Sequence, residues 1–279
     1  MFSSIVVPLD LETRSDRALP IAGALAAKSG IPIELVTVSS PQLSEASDAY
    51  ELEQRGRATG AAWSTTVLHD DDPAAALVAF LTDRPGALVV MATRARTAFG
   101  ELLLGSVTED VLRHSDHPVL LVGPHASVED PPAAPTLVAG VDGRPASMSV
   151  LGAVASWHEA FDGPRPWLVE VLPVPKEPTD FGDVAESSDV HRLATDLKEM
   201  GVAAEWEVTR AKHPSDALID FADQVVDAVI VVASSRWTDA QHSHLHSVAR
   251  RLAHEAHHPV LVVRANDVPS DERAHAASG

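Results

Sequence analysis

The sequence predicts an α/β fold made of two repeated lobes, each holding a mostly parallel sheet, and three features carry that prediction. Apolar runs of strand length alternate with stretches of helical spacing along most of the chain. One unit, ALVVMATRARTAFGELLLGSVTEDVLRHSDHPVLLVG at 87–123, reads as strand, polar loop, helix and strand. It returns as AVIVVASSRWTDAQHSHLHSVARRLAHEAHHPVLVV at 228–263, where Ala87/Ala228, Ser106/Ser247, Pro118/Pro259 and Val122/Val263 share one offset of 141 (for example 247 − 106). A constant offset through a whole unit marks a duplication.

Strand one, residues 3–9, ends in Asp10. Ala18, Leu19, Ile21, Ala22, Leu25 and Ala26 then recur at helical spacing, Pro20 falls in the first turn or kinks it, and Gly30 stands where a left-handed residue closes a helix. Residues 33–38 form strand two, 43–59 have helix-forming composition with Gly60 behind them, and 62–68 form strand three. The run Asp70, Asp71, Asp72 before Pro73 predicts a helix start: a capping aspartate, proline in the first turn, and negative charge at the positive end of the dipole. A divalent-metal site is the alternative, disfavoured because adjacent carboxylates point in different directions. A helix at 73–82, strand four at 87–91, a helix opened by Gly105 and Ser106, and strand five at 118–122 complete the lobe. In that last helix Val107, Thr108, Val111 and Leu112 share one face and Glu109, Asp110 and Arg113 the other, so it lies against a sheet.

VEDPPAAP at 128–135 is a proline-stiffened linker. Lobe two repeats the series: a strand at 137–141 into Asp142-Gly143, helical spacing at 149–157, a strand at 167–172, a helix at 190–200 closed by Gly201, a strand at 202–208 and a helix at 217–226. Asp142 lies 132 residues after Asp10 (142 − 10), so nine residues (141 − 132) are inserted before Gly201. The polar, turn-rich stretch 176–188 is the expected home for most of them. The expected domains are 1–130 and 131–264, with 265–279 a frayed tail.

Composition narrows the function. A hydrophobic content of 45% and mean hydropathy of +0.03 suit a packed globular chain. The formal charge of −19 argues against nucleic acid or an anionic membrane as the main partner, since both would be repelled. With no cysteine there is no disulfide framework, thiolate metal site or cysteine nucleophile. The start MFSSIVVPLD lacks a basic region, and no apolar window reaches membrane-spanning length, so a cytoplasmic location is expected.

A strand ending in Asp, a later G-x2-G-x9-G-[ST] spacing, and a closing helix with a PVLVV-type strand resemble the universal stress proteins, and two copies resemble their tandem members. LLLGSVTEDVLRHSDHPVLLV is the most specific segment, and the likeness runs over about residues 3–264. The resemblance implies five strands per lobe in the order 3-2-1-4-5, helices on both faces, and an ATP site at the carboxyl ends of strands one and four. Such a switch point is also where open α/β sheets bind ligands on physical grounds. In lobe one the family's nucleotide positions fall on Pro8, Asp10, Val38, Met91, Ala92, Arg94, Ala95, Gly105, Ser106 and Val107, with Asp10 placed to meet adenine or ribose. Ala92 and Ala95 replace glycines of the motif, and Ala98 a further frequent one. Glycine serves there for close approach to phosphate or a positive φ, so each alanine weakens the site. Arg94 and Arg96 could compensate by pairing with phosphate oxygens. Lobe two keeps Asp142-Gly143 and Ser247 but has Ala233, Arg236 and His246 at the loop positions, and is read as unable to hold a triphosphate.

Two function classes follow: a stress-response regulator with a weakened ATP site in lobe one, or a family member without nucleotide that acts through protein contacts. An ATP-hydrolysing enzyme is disfavoured, because no Walker-type GK[ST], water-activating base or paired metal carboxylates appear. His242, His244 and His246 alternate and would share one side of an extended chain, but a polar loop is the simpler reading and no metal site is assigned. His254, His257 and His258 suit a helix C-terminus. Ser106 lacks a base at motif spacing, so helix capping or phosphate contact is its expected role. The last strands, 118–122 and 259–263, would be exposed apolar edges, so the two lobes are expected to pair through them. Protein partners or a homo-oligomer complete the expected associations.

Overall fold

The computed structural model describes residues 2–12, 14–39, 45–93, 104–174, 182–234 and 243–265. Lobe one runs β1 (Ser4–Pro8), α1 (Ala18–Ser29), β2 (Ile33–Ser39), α2 (Glu45–Ala58), β3 (Trp63–His69), α3 (Pro73–Thr82), β4 (Ala87–Ala92), α4 (Ser106–His114) and β5 (Val119–Val122), with a short 3-10 helix, Ser15–Arg17, before α1. Lobe two runs β6 (Thr136–Val141), α5 (Pro145–Phe161), β7 (Trp167–Leu172), α6 (Gly182–Glu199), β8 (Glu205–Arg210), α7 (Pro214–Ala222), β9 (Ala228–Ser234), α8 (Ser243–Glu255) and β10 (Val260–Arg264).

All these strands belong to one sheet, ordered β3-β2-β1-β4-β5-β10-β9-β6-β7-β8. Each lobe therefore has its strands in the order 3-2-1-4-5, every neighbour within it parallel. Pairing turns antiparallel only where the lobes meet, with Leu120 opposite Leu261, Val119 opposite Val262 and Leu121 opposite Val260. Because β1 and β4 are neighbours while β2 and β5 lie outside them, their carboxyl ends part at a switch point.

The central strands are apolar on both faces because both faces are covered. Ile5 and Val7 of β1 and Leu88 and Val90 of β4 point into one core with α1, α2, α5 and α6; Val6, Val89 and Met91 point into the other with α3, α4, α7 and α8. Phe2, Trp157 and Phe161 form an aromatic cluster across the lobe boundary, with Trp157 and Phe161 ring centroids 4.6 Å apart.

Helix ends follow local chemistry. Asp72 caps α3, its carboxylate accepting from the Ala74 and Ala75 amides at 3.0 and 3.1 Å, with Pro73 at the first helical position. Gly30 closes α1 at φ 73°, its amide donating to the Ala26 carbonyl. Three elements of lobe two depart from the sequence reading. Helix α6 begins at Gly182, inside the stretch expected to be turn-rich. Helix α7 starts at Pro214 and stops at Ala222 rather than covering 217–226, because proline at its first position sets the start as in α3. Strand β8 sits at 205–210 rather than 202–208, since Val202 is spent in the core before the strand begins. Residues 266–279 lie outside the described residues.

Candidate functional site

Beyond Pro8 the chain passes Leu9, whose amide donates to the Val36 carbonyl, and turns at Asp10. Asp10 Oδ1 accepts from the Glu12 amide at 3.0 Å, closing a turn in which Leu11 holds φ 60°. A left-handed leucine costs roughly 1–2 kcal/mol, so something must hold it. Arg55 of α2 does: its Nη2 donates to the Leu11 carbonyl at 3.0 Å while Nε meets Asp16 at 2.6 Å and Nη1 meets Glu51 at 2.7 Å. Burial works against its charge, but the bonds from Asp16 and Glu51 outweigh it and raise its pKa. The loop bearing Asp10 is thus clamped from behind.

On the other side of the switch point, Gly105 precedes α4 at φ 99° and ψ 140°, a conformation that needs glycine. Gly105 is itself the N-cap and among the described residues no side chain caps the helix; of the two roles expected for Ser106, capping or phosphate contact, capping falls away because it is the first helical residue. Uncapped first-turn amides at a helix start are a ready anion site.

Between these two loops lies a cavity of about 290 Å³. It brings together eight of the ten residues selected from sequence: Pro8, Asp10, Val38, Met91, Ala92, Gly105, Ser106 and Val107. Arg94 and Ala95, with Arg96 and Ala98, lie outside the described residues. Arg14, Ser15, Thr93 and Thr108 also line the cavity and were not selected as site residues from the sequence. Arg14 is exposed and adds a cation to the lining, opposite in charge to a phosphate. Their only sequence signal is position: two follow the strand-one aspartate, one follows β4, one lies in the first turn of α4.

Of the two reasons expected for glycine at position 92, a positive φ does not apply. Ala92 is the last residue of β4, in register with Val122, and is not among the left-handed non-glycine residues Leu11, Asp162 and Asp227. Its methyl occupies wall space but strains no backbone.

At the equivalent position of lobe two the cavity is smaller. Its cavity is about 110 Å³, lined by Asp142, Ser147, Val169, Val171, Leu218, Ala233 and Val248 among others. Small-molecule sites typically run to roughly 300–1,000 Å³, so the lobe-one cavity stands at that threshold and this one far below it. Asp142 Oδ1 is occupied by the Ser147 hydroxyl at 3.0 Å and the Arg144 amide at 3.1 Å. Ser15, the counterpart of Ser147, instead donates to the Glu12 carbonyl. Gly143, the counterpart of Leu11, takes the same left-handed turn at φ 70° without strain. Arg236 and His242 lie outside the described residues, while His244 and His246 fall in the first turn of α8. His254 is buried, and His257 and His258 both approach Asp223, at 3.2 and 3.1 Å.

Comparison with known proteins agrees with this fold. The model of the universal stress protein family matches residues 1–123 and again 135–264. A universal stress protein of Mycobacterium tuberculosis (strain CDC 1551 / Oshkosh) is 28% identical over 242 residues, covering 80% of this chain and 70% of that protein. One from Mycobacterium bovis (strain ATCC BAA-935 / AF2122/97) is 27% identical over 205 residues, covering 67% of this chain and 61% of its own length. Among solved structures, a universal stress protein from Archaeoglobus fulgidus DSM 4304 shares the fold with a TM-score of 0.71 at 17% identity, over 95% of this chain and 99% of that one.

Proposed function

The chain belongs to the universal stress protein family, as a tandem member and a stress-response protein, and from that premise we propose that it is a non-enzymatic regulator that binds ATP in lobe one and not in lobe two. The observation that carries this reading is the asymmetry of the two switch points. Lobe one offers a cavity of about 290 Å³ between Asp10 and the start of α4; lobe two offers about 110 Å³, and there Ser147 bonds to the aspartate where its counterpart Ser15 turns to the Glu12 carbonyl. In this assignment Asp10 meets the ribose or adenine, Val38 and Met91 flank the base, Ala92 forms the wall, and Gly105, Ser106 and Val107 present amides to the phosphates with Arg14 as a counter-charge. Arg94 and Ala95 complete the phosphate loop in the family pattern. Mass spectrometry of gently purified protein tests the reading: co-purified adenine nucleotide supports it, and its absence together with no ATP uptake at millimolar concentration removes it.

Residues 1–130 and 131–264 are the two domains of this reading, and their pairing through β5 and β10 is the arrangement it requires in solution. Among the described residues no helix is long and apolar enough to cross a membrane, and the cytoplasm is the compartment this reading assigns. A second reading, a protein-contact module without nucleotide, is favoured by the smaller lobe-two cavity and by large apolar side chains exposed on that lobe, Trp206 and Val226.

A further inference from the structure

The two lobes meet across a pseudo-two-fold axis; a residue on such an axis faces its own counterpart, while residues off it pair reciprocally, as Val119 with Val262 and Leu121 with Val260. Leu120 lies opposite Leu261, its equivalent at the offset of 141 (261 − 120). Glu109 and Arg250 are also equivalents (250 − 109), and they too meet, Arg250 Nη2 standing 3.0 Å from Glu109 Oε1. The leucine pair suits any combination of lobes. The charged pair does not: two copies of lobe one would set Glu109 against Glu109, and two copies of lobe two Arg250 against Arg250. These side chains are 18% and 33% exposed, so water screens such repulsion only in part.

A second position differs in the same sense. Arg264 is the counterpart of Gly123 (264 − 123). Arg264 Nη1 reaches Asp116 Oδ1 at 2.6 Å and the Ser115 carbonyl at 3.2 Å, binding the end of α4 from lobe two. On the other side Gly123 is pressed against the Ala253 carbonyl so closely that no Cβ fits there without movement. A second lobe two in place of lobe one would bring Arg264 to that carbonyl. A second lobe one in place of lobe two would leave Asp116 facing a glycine.

We propose that the lobe–lobe face is a recognition surface selective for unlike lobes, in which Glu109 against Arg250 and Gly123 beside Arg264 admit lobe one with lobe two and reject either lobe with its own kind. This rests on the lobe pairing proposed above and adds its specificity. Selectivity arises as much from what the like pairs would suffer as from what the unlike pair gains. Its consequence is a chain that closes on itself and leaves no matching face for a second copy at this edge.

Charge reversal in the full-length chain tests it. Glu109→Arg and Arg250→Glu each recreate, at the axis, the charge pattern of a like pair, and Glu109→Arg with Arg250→Glu restores an unlike one. Each single reversal should lower the folding equilibrium about fivefold in low salt, and the double variant should recover most of the loss. Glu109→Gln and Arg250→Gln give the neutral reference if a reversal prevents folding. A protease site placed in the 128–135 linker then lets the folded chain be nicked, mixed with isotope-labelled copies and weighed by native mass spectrometry. Selective pairing yields only complexes of lobe one with lobe two. Like pairs at comparable abundance, or a double variant no better than the singles, overturn the selectivity alone; dissociation into single lobes removes the pairing reading and the inference with it.

Discussion

Replacing Gly105 with alanine separates the role of the α4 N-terminus from its contribution to stability. At φ 99° and ψ 140° the residue occupies backbone space that side chains avoid, at a cost of roughly 1–3 kcal/mol. The variant either bears that strain or rotates the peptide between Gly105 and Ser106, which turns the first amides of α4 away from the cavity. If those amides hold phosphate, Gly105→Ala should lose about 1–3 kcal/mol of stability and weaken ATP at least about fivefold, the equivalent of ~1 kcal/mol. Urea unfolding reads the first quantity and calorimetric titration the second. Gly60→Ala is the control: it is also left-handed, at φ 68°, with open space around its missing Cβ, and ends α2. It should lose comparable stability and leave ATP binding unchanged. The reasoning fails if Gly105→Ala binds ATP as the parent does while Gly60→Ala shows the same stability loss.

Three further outcomes are expected. Asp72→Ala removes the acceptor of two α3 amides and should cost about 0.5–2 kcal/mol in urea unfolding. Gly123→Ala drives a methyl into the Ala253 carbonyl and should cost about 1–3 kcal/mol, with the lobe boundary loosening first in hydrogen exchange of β5 and β10. His258 is held below its ordinary pKa of 6.5, by burial first, while Asp223 and Asp227 oppose the shift and His257 adds to it. A depressed pKa means that the unfolded chain takes up the proton more readily, so this stability is present above pH 6.5 and is lost as pH falls through the folded value. His258→Gln should therefore flatten the stability profile below pH 6.5, as read by unfolding midpoints across pH.

The duplication, the strands and the cap at Asp72 were legible because each rests on a local rule: a fixed offset, a run of apolar residues, an acceptor one position before proline. Gly105 was legible for the same reason. What escaped depended on three-dimensional context. At Ala92 the sequence left two reasons for glycine, close approach to phosphate or a positive φ, and the second falls away only once the residue is seen to end β4. Leucine at 11 looked ordinary and is strained, kept in place by Arg55 from a helix 44 residues further on. Arg14, Ser15 and Thr93 belong to no spacing pattern and reach the cavity only because β1 and β4 are neighbours. Helix α6 began earlier than expected, at Gly182, because a polar stretch without apolar periodicity gives no helical spacing to read. The pairing of Glu109 with Arg250 was present in the sequence as an offset, but only the antiparallel register of β5 and β10 gives that offset a meaning.

The stoichiometry of ATP binding by calorimetric titration tests the lobe asymmetry most directly. The chain should bind one ATP, Asp10→Ala should abolish or strongly weaken that binding, and Asp142→Ala should leave it intact, because the cavity beside Asp142 holds only about 110 Å³. Two ATP per chain, or one ATP lost with Asp142→Ala and retained with Asp10→Ala, would contradict the assignment of the site to lobe one.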